Sequence, residues 1–434
     1  MLFKLKIIKY WLRFRFRGTF SNRESLERYQ KNSFQKFVAK VLVHSPFYNP
    51  YIKNIKSFTD VPIIQKKQFM EQFDTINTVG LKLEEAMNVA LEAEKTRDFA
   101  PVINTLSVGL STGTNGNRGI FIVSENERAA WTAMVITRVL KPKLFKRQKV
   151  AFFLRANNNL YTSINSSLFE FRYFDIFKPL EILAKELEQF NPNSIAAQPS
   201  VLMDLCRLSI KGKLSVSPTK IISFAEVLET EHKKLIAEIF NCPITEVYQC
   251  TEGFLGVSCK YGVMHLNEDS IHVEKEMIGE NRFYPIITDF SRSSQPVVRY
   301  RLDDILVEKK EKCKCGSVFI AIEKIVGRAD DILIFNTKKG KVQIYPDLIC
   351  RRIAIETDTF NNYKIIQINI ETLHIYLETD LDKKEKSIFE FTKAIEELLG
   401  EYGITTAKLL FFDSIEHATG NKFRRVESRI LKEK

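Results

Sequence analysis

The sequence contains no apolar stretch that approaches the ~20 residues of a membrane-spanning helix. It also lacks internal repeats, low-complexity segments, zinc-finger spacing and an arginine-rich helix, so we expect no nucleic-acid partner. Its seven cysteines are an odd number in a chain of 434 residues, and no secretory signal accompanies them. We therefore expect a cytoplasmic protein in a reducing compartment.

The composition is that of an ordinary globular protein, with 44% hydrophobic and 27% charged residues. A chain of this length forms two or three domains and buries a large core without the help of disulfides. The net charge of +12 favours anionic substrates or an anionic membrane surface as binding partners.

Residues 1–17 contain six basic residues and no acidic one. No uninterrupted apolar segment follows the charges, so the pattern differs from a signal peptide. On a helical wheel, the basic and the apolar side chains lie on opposite faces. The basic face contains Lys6, Lys9, Arg13 and Arg17, and the apolar face contains Phe3, Ile7, Tyr10, Trp11 and Phe14. Such a helix packs on the protein's own body or lies on an anionic membrane. We expect packing, with peripheral membrane contact as the alternative.

One loop is rich in hydroxyl groups and glycine, through Ser111, Thr112, Gly113, Thr114 and Gly116. Glycine lets the backbone approach a ligand, and successive N–H groups form an anion-binding concavity. The loop lacks the lysine of a Walker loop, and a strand over 119–123 precedes a helix that Ser124 and Glu127 begin as a capping box. We predict a loop between strands that closes over a polyphosphate; a solvated hairpin turn is the alternative.

Between residues 148 and 240, short apolar segments alternate with helical patterns, which indicates a largely parallel sheet. Examples are a helix over 180–190, a strand over 194–197 and a helix over 200–210 with Ser200 as its N-cap. Ligands bind beyond the carboxyl ends of such strands. The pattern predicts an α/β fold, with a large N-terminal domain of mixed and parallel sheets over 1–329 and a helical lead-in over 1–75. A small C-terminal α+β lid follows over 330–434.

Polar segments at 111–116, 251–252, 300–304, 327–331 and 420–422 occur in a distinctive order. Through them the sequence resembles the adenylate-forming (acyl-AMP) enzyme superfamily, most of all its phenylacetate–CoA ligase branch and the related capsule-biosynthesis proteins. The resemblance covers nearly the whole chain. It implies an ATP- and Mg²⁺-dependent ligase that joins a carboxylic acid to AMP, releases pyrophosphate and passes the acyl group to CoA or an amine. It also suggests a place in cell-envelope polysaccharide biosynthesis.

Two other functions share this motif set. One is an adenylyltransferase that leaves AMP on an acceptor hydroxyl. The other is a non-catalytic, membrane-associated scaffold that binds ATP. Both use the same nucleotide site, so the product formed from ATP distinguishes them from a ligase.

The resemblance also implies roles for single residues. The nucleotide would contact the phosphate loop, the backbone of Ala225 and Glu226, the ring of Tyr248, and Asp304 with its helper Arg328. The reaction would use Thr251 at the α-phosphate, Glu252 as a Mg²⁺ ligand, Lys422 as a mobile cation and Asp330 as the hinge of the small domain. A cation and Mg²⁺ lower the barrier because a carboxylate must approach an anionic phosphate. A solvated lysine in a charged tail is the alternative for Lys422.

We place the acyl pocket around the segment 153–161 and the residues Gln198, Phe224 and Gln249. Gln249 replaces the glycine that the resembling motif has at this position, which narrows or polarises the pocket. These side chains predict a small polar or an aromatic acid. Cys250 is a further candidate for the pocket wall.

Cys259, His265, Cys313 and Cys315 form a second set of functional candidates. Three thiols and one imidazole are a ligand set of structural zinc sites, and similar positions recur in the phenylacetate branch. The alternative is four reduced side chains near strand ends. The other cysteines are expected to act as small buried apolar residues.

Overall fold

The fold is that of a computed structural model, which describes residues 2–16, 20–96, 100–110, 119–141, 146–154, 165, 169–338, 340–357, 359–415 and 423–430. The chain forms two compact units. The first comprises Met1–Leu302 and Glu308–Lys324, and the second Asp303–Val307 and Ile325–Lys434. All of the predicted lid, residues 330–434, belongs to the second unit, together with 303–307 and 325–329. The boundary at Asp330 stays a prediction.

Six helices precede the first strand. They are α1 (Leu2–Arg15), α2 (Arg23–Lys40), α3 (Asn49–Ile52), α4 (Lys66–Glu71), α5 (Phe73–Ile76) and α6 (Leu83–Thr96). An antiparallel sheet of β1 (Val102–Ile103), β2 (Leu106–Leu110) and β3 (Ile120–Val123) follows, and then α7 (Glu125–Val135), which continues as a π-helical turn over Ile136–Leu140. Ser124 and Glu127 form the predicted capping box, so helix α7 begins where the sequence indicates.

A parallel sheet forms the centre of the first unit. Its strands are β4 (Gln148–Leu154), β5 (Phe169–Asp175), β6 (Ser194–Ala197), β7 (Lys220–Phe224) and β8 (Ile244–Cys250), in the order β5-β4-β6-β7-β8. Helices α8 (Leu180–Phe190), α9 (Pro199–Ile210) and α10 (Thr230–Phe240) connect them. Successive side chains on a strand point to opposite faces. Phe153 therefore packs with α8 and α9, whereas Val150 and Ala196 pack with α7.

Antiparallel strands complete the first unit: β9 (Gly253–Ser258), β10 (Met264–Leu266), β11 (Ile271–Met277), β12 (Arg282–Asp289) and β13 (Val297–Arg301). Strands β14 (Asp304–Glu308) and β15 (Ala321–Arg328) each begin in one unit and end in the other. The second unit contains β16 (Leu333–Thr337), β17 (Gly340–Ile344), α11 (Pro346–Glu356), β18 (Asn362–Asn369), β19 (Thr372–Glu378), α12 (Lys384–Glu401), β20 (Lys408–Phe412) and β21 (Val426–Ser428). Its four-stranded sheet has the order β20-β19-β18-β21, which is the predicted α+β arrangement.

Helix α1 packs on α7 by the predicted apolar face. Ile7 is buried there, with Phe3, Tyr10, Trp11 and Phe14 packed around it. An ion pair of 2.8 Å between Lys6 Nζ and Glu125 Oε1 adds to this contact. Packing on the protein's own body is therefore confirmed, and this face of α1 is not available to a membrane. None of the described helices is long and apolar enough to span a bilayer.

We expect His272 on β11 to make folding stability depend on pH. Its ring stacks on Phe58 with centroids 3.7 Å apart, and its Nδ1 lies 3.1 Å from Gln30 Oε1. Burial, and to a smaller extent the positive charges of Arg23 and Arg299, lower the pKa of His272 to about 4. The unfolded chain, with a pKa of about 6.5, binds this proton more readily. Stability should therefore be complete above about pH 6.5 and should fall as the pH decreases towards 4.

Urea unfolding of the His272→Gln variant at neutral pH and at about pH 5 measures this effect. The variant should lose less stability on acidification than the wild type. His44→Gln, at an exposed position, is the matched control and should keep the wild-type dependence. Equal pH dependence in all three proteins would contradict the prediction.

Candidate active site

Thr251 and Glu252 form the two-residue turn between β8 and β9. The Tyr300 hydroxyl donates to Glu252 Oε1 at 3.0 Å, and Thr251 Oγ1 donates to Glu252 Oε2 at 2.9 Å. A side chain at position 253 would not fit, because a Cβ on Gly253 would lie 2.8 Å from Asp289 Oδ2. The carboxylate of Glu252 is thus oriented by two hydroxyl groups at the end of a buried hairpin.

Arg292 and Gln295 connect this turn to β3, the strand that follows the predicted phosphate loop. Arg292 lies 3.4 Å from the carbonyl oxygens of Thr251 and Ile122. Gln295 Oε1 accepts from the Ile122 N–H at 3.1 Å. A small cavity of about 20 Å³ lies here, and Lys66, Gly119, Glu252 and Tyr300 are among the residues that line it. The structure therefore places Gly119 and the start of β3, which follow the predicted phosphate loop in the sequence, beside the Thr251–Glu252 turn.

Several predicted residues lie outside the described residues. They are Ser111, Thr112, Gly113, Thr114 and Gly116 of the phosphate loop, and Lys422. The flanking strands β2 and β3 pair antiparallel, with Leu110 opposite Ile120. The loop thus connects two neighbouring strands, as predicted, and the roles of its residues and of Lys422 stay predictions.

Ala225 and Glu226 follow β7 at the carboxyl edge of the parallel sheet. Ala225 has a φ of +70°, a left-handed conformation that costs a residue with a side chain about 1–3 kcal/mol and is typical of ligand sites. Glu226 accepts from the Ser200 N–H at 3.1 Å and from its hydroxyl at 3.2 Å. The prediction of Ser200 as N-cap is therefore wrong. Helix α9 begins at Pro199 after Gln198. The carboxylate of Glu226 accepts from the first N–H group of this helix, which is that of Ser200.

The predicted acyl pocket is only partly correct. A cavity of about 290 Å³ lies between the parallel sheet and α7, and Phe224, Gln249 and Cys250 line it as predicted. Phe153 lies on the face of β4 that is turned away from this cavity, because successive side chains of a strand alternate, and it packs with α8 and α9. Gln198 is not among the described lining residues, and 155–161 lie outside the described chain. Tyr248 is buried and adjoins Gln249, which faces the cavity.

Asp304 and Arg328 both lie in the second unit. Arg328 Nη2 lies 3.3 Å from Asp303 Oδ2. Burial acts to lower the pKa of Arg328, but the charges of Asp304, Asp303, Asp330 and Asp331 outweigh it and raise the pKa. The guanidinium therefore stays charged at the centre of an acidic group. Asp331 in turn forms an ion pair with Arg424, which is two residues after Lys422 in the sequence.

The four predicted metal ligands lie together. The ligand atoms of Cys259, His265, Cys313 and Cys315 are all within 4.8 Å of one another. Cys259 Sγ is 3.7 Å from Cys313 Sγ, and Cys315 Sγ is 3.3 Å from His265 Nε2. Burial acts to raise the pKa of the Cys259 thiol, but N–H groups of Tyr261 and Val263 lower it overall. Burial raises the pKa of the Cys315 thiol to about 11. Three thiols and one imidazole are nevertheless a ligand set of tetrahedral zinc sites, in which the bound ion keeps the thiols deprotonated. None of the seven cysteines forms a disulfide.

Comparison with solved structures identifies the fold. A 2-hydroxyisobutyryl-CoA ligase in the postadenylation state, in complex with 2-HIB-AMP, matches with a TM-score of 0.71 and 17% identity over 95% of this chain and 91% of that chain. The chain has the adenylate-forming ligase fold. An anthranilate CoA ligase, AuaEII, with anthranoyl-AMP also matches, with a TM-score of 0.52 and 12% identity over 72% of this chain and 65% of that one.

A sequence relative of this chain is protein CapK of Staphylococcus aureus. The two are 25% identical over 283 residues, which is 64% of this chain and 61% of CapK. The match thus spans about three-fifths of the length of that relative. No family profile matches the chain.

The sequence alone did not assign roles to Tyr300, Arg292 or Gln295. Tyr300 is 2% exposed and packs edge-on against Phe69, with ring centroids 5.1 Å apart. The period-two alternation of β13 would have pointed Tyr300 inwards, but only the pairing of distant segments shows that it contacts Glu252.

Proposed function

We propose that this chain is an ATP-dependent ligase that activates a carboxylic acid as an acyl adenylate. The observation that carries the proposal is the Thr251–Glu252 turn, with its oriented carboxylate. The turn lies beside Gly119 and β3, and Thr251 lines the larger cavity. An acid in the cavity would have its carboxylate near Thr251, where a nucleotide phosphate would also lie. The fold of acyl-AMP-forming ligases supports the same reaction.

Glu252 suits Mg²⁺, because this ion binds carboxylate oxygens. The phosphate loop suits ATP, because its N–H groups can donate to the phosphates. Bound Mg²⁺ would neutralise charge on the phosphates. On the resemblance we assign the backbone of Ala225 and Glu226 to adenine, Tyr248 to stacking on it, and Asp304 with Arg328 to the ribose. Lys422 as the catalytic cation and Asp330 as the hinge complete the proposal. CoA or an amine is the acceptor, and a role in cell-envelope polysaccharide biosynthesis follows from the resemblance alone.

Mass spectrometry of the protein with ATP, Mg²⁺ and a pool of carboxylic acids tests the proposal. We expect an acyl adenylate and pyrophosphate. AMP attached to a hydroxyl compound would identify an adenylyltransferase instead. Binding of ATP without turnover for any acid would favour the non-catalytic scaffold and contradict the proposal.

We also propose that the cluster of Cys259, His265, Cys313 and Cys315 holds a structural zinc ion. Three thiolates and an imidazole leave no open coordination position, so the ion would link the turn 259–265 to the segment 313–315 without acting on substrate. The short distances between the sulfur and nitrogen atoms support this reading.

The outer face of α1 supports a peripheral contact with an anionic lipid bilayer. Its large apolar side chains Leu5, Ile8 and Leu12, with Phe16 just beyond the helix, are 43–74% exposed. The exposed basic residues Lys4, Lys9, Arg13 and Arg15 lie beside them, and the helix contains no acid. Exposed apolar side chains flanked by cations are typical of helices that lie in a membrane interface. The face that would contact lipid is thus the opposite of the one the sequence offered.

Vesicle sedimentation tests this contact. Ile8→Asp with Leu12→Asp should weaken binding to phosphatidylglycerol vesicles at least tenfold, since burying each apolar side chain contributes ~1.5–3 kcal/mol. Leu381→Asp, at a position that is 92% exposed in the second unit, is the matched control and should bind like the wild type. If the wild type does not bind the vesicles, or if the double variant binds them as well as the wild type does, the contact is contradicted. A protein partner for this face would then be favoured.

A further inference from the structure

The cavity beneath α7 has an apolar end and a polar end. On β4, the alternate residues Val150, Phe152 and Leu154 all line it. At ~3.3 Å per residue, Val150 and Leu154 are about 13 Å apart along the strand, so the cavity is elongated. It runs along the sheet from the carboxyl edge, where Thr251 lies, towards the amino edge.

The far end of the cavity is apolar. Met134, Val139, Leu140, Val150, Phe171 and Ile222 are among its walls. The π-helical turn closes this end, because Lys220, the first residue of β7, donates to the carbonyl oxygens of Val139 and Leu140 at 2.9 and 2.6 Å. A polar substrate group here would lose its water without gaining a hydrogen-bond partner, which is costly.

Four charged residues line the other part of the cavity. Glu127, Asp289 and Arg292 are engaged within the protein, whereas the buried Nε of Arg128 has no hydrogen-bond partner. Glu127 accepts from the N–H groups of Ser293 and Ser294 at 2.7 and 3.0 Å. Asp289 accepts from the N–H and the hydroxyl of Ser291, and burial raises the pKa of its carboxyl. Arg292 contacts the Thr251 carbonyl. Polar contacts for a substrate are therefore available at Thr251, Gln249 and Arg128, and the carboxylate would react beside Thr251.

We propose that the acid activated by this chain carries an elongated apolar tail, in the manner of a medium-chain fatty acid. This inference rests on the proposed ligase function. The carboxylate would lie at Thr251, and the alkyl tail would extend between α7 and the sheet to Val150. A cavity of about 290 Å³ with apolar walls gains binding free energy from each methylene group added, until the tail reaches the closed end. The small polar acid expected from Gln249 would leave this space empty.

Isothermal titration calorimetry with decanoate measures binding without ATP and without turnover. In parallel, acid-dependent pyrophosphate release is measured with acetate, hexanoate, decanoate, hexadecanoate and benzoate. We expect decanoate to bind, and kcat/KM to rise about fourfold per methylene from acetate to a maximum near decanoate. A maximum at acetate or benzoate would overturn the inference and leave the ligase function intact.

Two variants with opposite effects sharpen the test. Ala196 and Trp131 both line the cavity, from β6 and α7. Ala196→Met fills the space and should shift the optimum to shorter acids, whereas Trp131→Ala enlarges it and should shift the optimum to longer ones. If Ala196→Met does not fold, Trp131→Ala alone still tests the direction. An unchanged length profile in a folded variant would overturn the inference. If a fatty acid binds but no pyrophosphate is released with any acid, the apolar binding site is supported and the proposed ligase function is contradicted.

Discussion

Replacing Glu252 by Gln should lower acid-dependent pyrophosphate release by about 10²- to 10³-fold, the usual effect of removing one electrostatic contact to a transition state. Glutamine has nearly the same shape. Its amide oxygen can still accept from one of the two hydroxyl groups, that of Tyr300 or of Thr251, and its NH₂ group can donate to the other. It has no negative charge, however, and Mg²⁺ prefers carboxylate ligands. The loss should therefore appear in kcat, with the thermal unfolding midpoint close to that of the wild type.

Two further variants separate the charge of Glu252 from its orientation. Tyr300→Phe keeps the carboxylate and removes one hydrogen bond of 3.0 Å, so we expect a loss of about tenfold. Glu231→Gln removes a carboxylate from the exposed face of α10, where its partner is Lys234, and should retain full activity. If Glu252→Gln keeps wild-type turnover, Glu252 is not a Mg²⁺ ligand and the assignment of the active site fails.

Replacing Cys313 by Ser should remove one equivalent of bound zinc and lower the thermal unfolding midpoint by several degrees or more. For a domain of this size, 1 kcal/mol corresponds to roughly 2–4 °C, and a structural zinc site contributes several kcal/mol. Elemental analysis of the purified protein and differential scanning calorimetry measure the two effects.

Cys242→Ser is the matched control for the zinc prediction. Cys242 is half-buried in the same unit, and burial raises the pKa of its thiol to about 11, so it stays protonated at neutral pH. The variant should keep its zinc. A chelator such as EDTA should lower the unfolding midpoint of the wild type and of Cys242→Ser but not that of Cys313→Ser. Wild-type protein that contains no zinc after expression in zinc-supplemented medium would contradict the site.

The order of strands and helices was readable from local patterns. Helix α8 and strand β6 have the predicted bounds, since amphipathic periodicity and β-branched or small residues decide such elements locally. Strand β5 escaped notice, because its aromatic and charged residues alternate without clear turn signals. The N-cap of α9 was also misplaced. A serine beside a helix start resembles a cap. Here, however, the carboxylate of Glu226, in the loop after the next strand, accepts from the Ser200 N–H.

The active-site residues divide in the same way. Thr251, Glu252 and Ala225 were found from short motifs, because hairpin turns and strand ends are local features. The contacts of Tyr300 and Arg292 with this turn depend on segments about 40 residues away and were not predictable. The expected acid differs from the proposed one for a related reason. Gln249, Gln198 and Phe224 suggested a polar or aromatic pocket, whereas the walls of the observed cavity come from nine strands, α7 and the π-helical turn.

The sequence by itself determined the α/β class, the phosphate loop between two strands, the Thr251–Glu252 turn and the four metal-ligand candidates. Each of these depends on periodicity, turn chemistry or ligand type within a short stretch. Only the tertiary structure decided against which helix α1 packs, which side chains line the cavity and that the four ligands converge. Those features depend on the register of β4 to β8 and on the packing of α1 and α7, and shifting a strand by a single residue would turn its side chains to the other face.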